Sequence, residues 1–194
     1  MPLTLSQTVS PTDEPISLDQ IKRHLRITID NDDILLFGLI QTARHHLELV
    51  TRRQFLTATW IYALDAFPSE TQIQLPRPPL QLIDSLTYFN SDNVETVFAT
   101  TQYGVDILSE PGRIYLLPGN RWPATYAIPN AVRITFTAGW TSAEQVPASL
   151  KSLLYLFVGH LYENREATTS GDLMHEIPLG VQSLMWINRI PKVF

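Results

Sequence analysis

The spacing of apolar residues changes period twice along this chain. It is helical up to about residue 54, alternating from Phe55 to about Gly139, and helical again beyond. One element type cannot serve both periods, because a helix repeats every 3.6 residues and a strand every 2. The chain is therefore expected to run as helices, then strands, then helices. At 194 residues it has room for one domain carrying a sizeable insertion. The expectation is an α+β fold. A helical core of two N-terminal helices, one long and one short C-terminal helix takes 16–54 and 141–194, and an antiparallel β module is inserted at 55–140. Residues 1–15 hold three prolines and several Ser and Thr residues, which reads as an extended arm.

Local signals sharpen the helices. Ser17 followed by Gln20 has capping-box spacing, and Leu18, Ile21 and Leu25 share one face, which predicts a short helix over about 17–26. The acidic run Asp30-Asn31-Asp32-Asp33 starts a second helix at its positive dipole end. Calcium is the sharper reading of that run, but the central Gly and later Glu of an EF-hand loop are missing. Leu36, Ile40, Ala43, Leu47 and Val50 give this helix its buried face, and it should stop near Arg52-Arg53. Pro147 suits a first helical position. Leu150, Leu153, Leu154, Phe157, Val158 and Leu161 follow as one face. Tyr155 and Leu156 add apolar bulk elsewhere, so this helix is expected to be covered on more than one side. A terminal helix over about 180–190 should end at Pro191.

In the middle of the chain, Trp60, Tyr62 and Leu64 alternate with other residues, as do Val132, Ile134 and Phe136. Shorter strands are expected at Ile73–Leu75, Ile83–Phe89, Val94–Phe98, Tyr103–Leu108 and Arg113–Leu117. Turn sequences separate them, including Pro111-Gly112 and Pro118-Gly119-Asn120, and a positive φ would explain Gly104, Gly112, Gly119 and Gly139.

Composition excludes several function classes. With no cysteine there are no disulfides, thiolate metal sites or Cys nucleophiles. The net charge of −5 is spread along the chain, without the basic excess that sequence-independent nucleic-acid binding needs. Charged residues make up 17%, below the usual quarter, so part of the neutral surface is expected to be covered by a partner. The first residues have no basic-then-apolar signal pattern, and no apolar run spans a membrane. A soluble protein made in the cytoplasm is expected.

Catalytic constellations are sparse. The histidines are His24, His45, His46, His160 and His175. His45 and His46 diverge by about 100° on a helix. His160 and Glu163 stand at i,i+3, without a second pair to complete a metal site. There is no nucleophile elbow and no phosphate-binding loop. Asp30/Asp32 and Glu163/Glu166 read as solvated helix ends. Trp122, in Asn120-Arg121-Trp122-Pro123, reads as an exposed loop anchor.

The ordered stretches "EPISLDQIKRHLRI", "DNDDILLFGLIQTAR", "TRRQFLTATWIYALDAFP", "IQLPRPPLQLIDSLTYFN", "YGVDILSEPGRIYL", "VRITFTAGW", "VPASLKSLLYLFVGHLYENRE" and "IPLGVQSLMW" carry a wider likeness. Across about residues 14–187 the chain resembles the head–tail connector (adaptor, or head-completion) proteins of tailed bacteriophages and related prophages, in the branch with a β insertion between the helices. The resemblance implies a virion structural protein at the head–tail junction, made in the bacterial host cytoplasm, with no catalytic residues, metal or cofactor. It implies a homo-oligomeric ring, commonly a dodecamer, below the portal protein. The ring extends the DNA channel and docks a tail-side connector or stopper protein. The first dozen residues fall outside the shared pattern.

Physical reasoning gives that role candidate residues. Twelve copies at −5 sum to about −60, a field that lets DNA slide without sequence-specific binding. Asp30, Asp32, Asp33, Glu163 and Glu166 are the candidate channel-facing acids. In the arm from Pro178 to Phe194, Trp186, Leu184, Ile187 and Phe194 are the candidate partner-interface residues, with Trp186 as anchor. The arm either docks on a neighbour or completes its own subunit's core. Two rival readings remain at this point. One is a small module binding a peptide or glycan at Trp122 and the β loops. The other is a metal-dependent hydrolase using His160, Glu163 and a second histidine.

Overall fold

The computed structural model describes residues 4–164 and 179–191. It has an α+β fold, and the chain divides into two compact units. The helical unit is Thr12–Leu56 with Thr141–Arg189, and the strand unit is Met1–Pro11, Thr57–Trp140 and Ile190–Phe194.

In the helical unit, α1 is Leu18–Leu25, and its capping box is formed as the sequence suggests. Ser17 Oγ accepts from Gln20 N at 3.2 Å, and Gln20 Oε1 accepts from Ser17 N at 2.9 Å. Helix α2 is Asp33–Thr51 and ends at Arg52 in the left-handed region. Helix α3 is Ala148–Glu163 and α4 is Leu179–Asn188. Pro147 sits one position earlier than expected, at the N-cap, where its carbonyl accepts from Leu150 N and Lys151 N. Leu36, Ile40, Ala43 and Leu47 of α2 are buried, as are Leu150, Leu153, Leu154, Phe157 and Val158 of α3. The second side of α3 is only partly covered. Tyr155 packs on His24 at 5.2 Å between ring centroids, whereas Leu156 is exposed.

One polar knot inside this unit is buried. The Glu48 carboxylate is 4% exposed. Its Oε1 accepts from Gln54 Nε2 at 2.8 Å and from Phe55 N at 3.0 Å, and its Oε2 accepts from Arg44 at 3.1 Å. Arg44 in turn donates twice to Glu14, at 2.7 and 3.2 Å. Burial opposes the guanidinium charge, but the bonds to Glu14 and the charges of Glu48 and Glu14 outweigh it, and the Arg44 pKa is raised. Every acceptor of the pair has a donor, the condition under which a buried charge is tolerated. The knot ties α2 to the segment before α1 and to the segment leaving toward Leu56.

The strand unit holds two antiparallel sheets. Strands β1 (Thr4–Val9), β2 (Ala58–Leu64), β4 (Leu80–Phe89), β5 (Glu95–Val97) and β8 (Val132–Ala138) pair in the order β1-β2-β8-β4-β5. Strands β3 (Gln72–Gln74), β6 (Tyr103–Asp106) and β7 (Arg113–Leu116) pair as β3-β7-β6. The alternation puts Trp60 opposite Phe136 and Tyr62 opposite Ile134. All four join a core with Leu86, Ile73, Tyr103 and Ile114 from both sheets. The expected extended arm is thus a strand over Thr4–Val9, paired with β2. Its Leu5 packs against the same core.

Two glycines serve a purpose other than the one expected. Gly119 and Gly139 do have positive φ, but Gly104 and Gly112 are places of close approach. A Cβ on Gly104 would lie 2.4 Å from the Tyr115 ring, and one on Gly112 would lie 2.6 Å from Leu80 Cβ.

The β6–β7 turn is organised by Asp106. Its carboxylate accepts from Ser109 Oγ at 2.7 Å, from the backbone N–H groups of Leu108 and Ser109, and from Arg113 Nε at 3.0 Å. These bonds, the Ser109 hydroxyl foremost, lower its pKa from 3.8 to about 2.

Two measurements test these attachments. Glu48→Ala should lower the unfolding free energy by about 3–5 kcal/mol, because it strands the buried Phe55 N–H and leaves Arg44 with Glu14 as its remaining carboxylate. A loss well below that in denaturant titration would show that the knot contributes little. For Asp106 the folded pKa lies below the unfolded one. Its contribution is therefore full above pH 3.8 and is lost as pH falls through about 2. The Leu108 and Ser109 amide resonances should titrate with a midpoint near 2; a midpoint at the ordinary 3.8 would mean that the turn does not hold the charge.

Candidate functional site: the two ends of the helical unit

At one end of the helical unit the chain turns from α1 into α2 through the acidic run. Lys22 Nζ donates to Asp30 Oδ1 at 2.5 Å and to Asp33 Oδ1 at 2.7 Å. Those two hydrogen bonds raise the ammonium pKa. Tyr162, in the last turn of α3, donates its hydroxyl to Asp32 Oδ2 at 2.5 Å. The expectation of a solvated cluster is corrected here, because Asp32 and Asp33 are half-buried and bonded to partners in their own unit. The Asp30 side chain is 87% exposed, and Glu163 is exposed at the end of α3. Glu166 lies outside the described residues.

Next to these acids stand apolar side chains without cover. Ile34 is 91% exposed and Phe37 is 49% exposed. Being i and i+3, they share a face of α2, and that face is not the one bearing Leu36, Ile40 and Ala43. Gly38 beside them opens onto empty space. The consecutive run Ile34-Leu35-Leu36-Phe37 carries this signal, since four apolar residues in a row exceed what one buried stripe can use. Sequence reasoning counted only the inward face.

The other end is built by the last turn of α4. Val181 and Met185 are buried, whereas Trp186 is 69% and Ile187 is 77% exposed. Leu184 is half-buried, and Phe194 lies outside the described residues. The end of α4 is held by Ser149 Oγ donating to Asn188 Oδ1 at 2.9 Å and by Arg53 Nε donating to the Asn188 carbonyl at 2.9 Å. The Arg189 guanidinium lies over the Trp186 ring at 5.1 Å. Helix α4 therefore both completes its own unit's core, through Val181 and Met185, and leaves Trp186 and Ile187 at the surface.

The histidines are placed as packing residues. His46 stacks on Phe157 at 4.9 Å; burial, and then the charge of His45, lowers its pKa. His24 packs on Tyr155. His160 and Glu163 line one groove with His24, Leu156, Val181 and Leu184. Among the described residues, however, no group of three His, Asp or Glu side chains is arranged to hold a metal. His175 lies outside the described residues.

In the strand unit, Trp122 is not the exposed anchor that its loop suggests. Its ring stacks on Phe67 at 4.8 Å with an interplanar angle of 5°, and its indole N–H donates to the Glu70 carbonyl at 2.8 Å. The tryptophan finds an aromatic shelf from a distant loop, which local sequence cannot reveal. A surface cavity of about 620 Å³ in this unit is lined by Gln72, Asp106, Leu108, Arg113 and Tyr115. Its charged groups Asp106 and Arg113 already bond one another.

Comparison with known proteins gives a consistent result. The family model of the phage gp6-like head-tail connector protein matches residues 15–108. No curated protein matches the chain. Among solved structures, a chain from the neck of an empty gene transfer agent (GTA) particle, computed with C6 symmetry, has a TM-score of 0.77 at 23% identity. It covers 98% of this chain and 97% of its own. A chain from the virion of the native gene transfer agent particle gives 0.75 at 22%, covering 98% and 97%. One from the native particle's neck, computed with C12 symmetry, gives 0.73 at 23%, covering 100% and 98%. The fold of this chain is thus that of neck proteins in phage-like particles. Through residues 15–108 the chain is similar to the phage gp6-like head-tail connector family, a likeness that supports a structural connector subunit.

Proposed function

We propose that copies of this chain close into a ring at the head–tail junction of a tailed phage or phage-like particle, without catalysing a reaction. The observation that carries the proposal is a helical unit that buries Leu36, Ile40, Leu150 and Leu154 yet still presents Ile34, Phe37, Trp186 and Ile187 at its surface. A closed core has no use for large apolar residues outside it, and such surfaces mark protein contacts. A ring needs two different faces on each subunit, related by a rotation. Related neck structures computed with C6 and C12 symmetry support that arrangement. The ring would sit below a portal protein, continue its DNA channel and offer a docking face to a tail-side connector or stopper.

Glu163, exposed at the end of α3, would contribute to the repulsive lining of the channel, with Glu166 close by in sequence. Like charge keeps the duplex moving and makes no sequence-specific contact. Asp30, Asp32 and Asp33 would add less, because Lys22 and Tyr162 hold them. Glu163→Gln combined with Glu166→Gln should increase DNA retention by the assembled ring in a filter assay. Retention equal to that of the unmodified ring would remove these acids from the lining.

Trp186 tests the proposal at its anchor. Trp186→Ala should leave the unfolding midpoint nearly unchanged, because the ring is mostly exposed. It should weaken copy-to-copy or portal association by about 30-fold, the effect of a central aromatic worth about 2 kcal/mol. Sedimentation of the variant and unmodified chains with a portal ring reads both quantities. Unaltered association with an intact fold would take Trp186 out of the interface.

A further inference from the structure

The two exposed apolar patches occupy opposite ends of the helical unit. Ile34 and Phe37 lie in the first turn and a half of α2, at the end where Tyr162 of α3 reaches Asp32. Trp186 and Ile187 lie in the last turn of α4, at the end where Asn188 meets Ser149 at the start of α3 and Arg53 just past the end of α2. Helix α2 has 19 residues, so the patches are roughly 25 Å apart. Side chains separated in this way cannot cover one another within one chain.

We infer that the α2 patch of one copy seats on the α4 patch of the next, so that a single head-to-tail contact repeats around the assembly; this rests on the ring reading above. The second copy is the occupant that fits both patches at once. Each patch is apolar at its centre, and their rims are opposite in charge. Asp30, Asp32 and Asp33 outnumber the single ammonium of Lys22 at the start of α2, where Ile34 follows, while Arg189 lies over Trp186. Bringing the two together sets acid against base around a dry centre, the layout of a specific interface. A self-complementary contact would instead place Asp30 near its own copy, or Arg189 near its own copy. A head-to-tail contact uses each patch once and leaves none open when the ring closes.

The absence of cysteine makes the test clean. Ile34→Cys and Ile187→Cys are introduced into the full chain, separately and together, at the most exposed position of each patch. Both sites are exposed enough that the fold should not depend on them. Under mild oxidation at high protein concentration, the chain with both substitutions should give a ladder of disulfide-linked multimers. A mixture of the two single variants should give a heterodimer that extends no further. Both should form about ten-fold faster than links between control cysteines at Val97 and Leu108, two exposed sites of the strand unit, because seating raises the local thiol concentration. Self-linked dimers of either single variant, forming as fast as the mixture, would overturn the pairing in favour of a self-complementary contact. Linking no faster than in the control overturns it outright. The mass of the unmodified chain, alone and with a portal ring, separates the two readings. If it assembles without these links, only the pairing is lost. If it assembles in neither condition, the ring reading is lost with it.

Discussion

The buried Glu48 carboxylate is the constraint on which the helical unit depends. A charge with 4% exposure is tolerated only when both of its oxygens are bonded, and here Arg44, Gln54 and the Phe55 N–H bond them. Arg44 extends the bonding to Glu14. The arrangement is directional in a way that apolar contacts are not. It fixes how the chain comes into α1 and how it leaves α2, so the face of α2 that turns inward is set. Once Leu36, Ile40, Ala43 and Leu47 point to the core, Ile34 and Phe37 have no place but the surface. The candidate interface follows from the same bonds that hold the unit together.

Much of the fold was legible because its signals are local. The Ser17–Gln20 box, the inward stripe of α2 and the alternation of β2 and β8 each lie within one segment, and the structure follows them closely. The misread positions depend on distant partners. Nothing near Trp122 announces that Phe67 stacks beneath it, or that the Glu70 carbonyl takes its indole N–H. Nothing near Asp32 announces Tyr162, 130 residues away. The strand at Thr4–Val9 exists because β2 offers it an edge, while the prolines on either side of it and its small polar residues read as an arm. At Gly104 and Gly112 the composition was suggestive, but the reason was the nearness of Tyr115 and Leu80.

The candidate site divides in the same way. Trp186 and Ile187 stand out in the sequence as apolar residues of the C-terminal arm, and the structure leaves them exposed. Leu184 was grouped with them, but it lies half-buried along the groove beside α3. The α2 patch is less visible in the sequence, because Leu36, Ile40 and Ala43 already supply a buried stripe and Ile34 and Phe37 stand among them. An apolar run longer than the stripe is the more informative feature in a protein that assembles. The acids were read as one cluster, yet their surroundings divide them into held carboxylates, Asp30, Asp32 and Asp33, and an exposed one, Glu163.

The central proposal is that the apolar ends of the helical unit exist for other copies of the chain. Electron microscopy of the full chain bound to a portal ring measures this most directly. The account expects end-on views with rotational symmetry in which neighbouring copies touch through α2 of one and α4 of the next. Copies meeting only through their strand units, with Ile34 and Trp186 facing solvent, would contradict it.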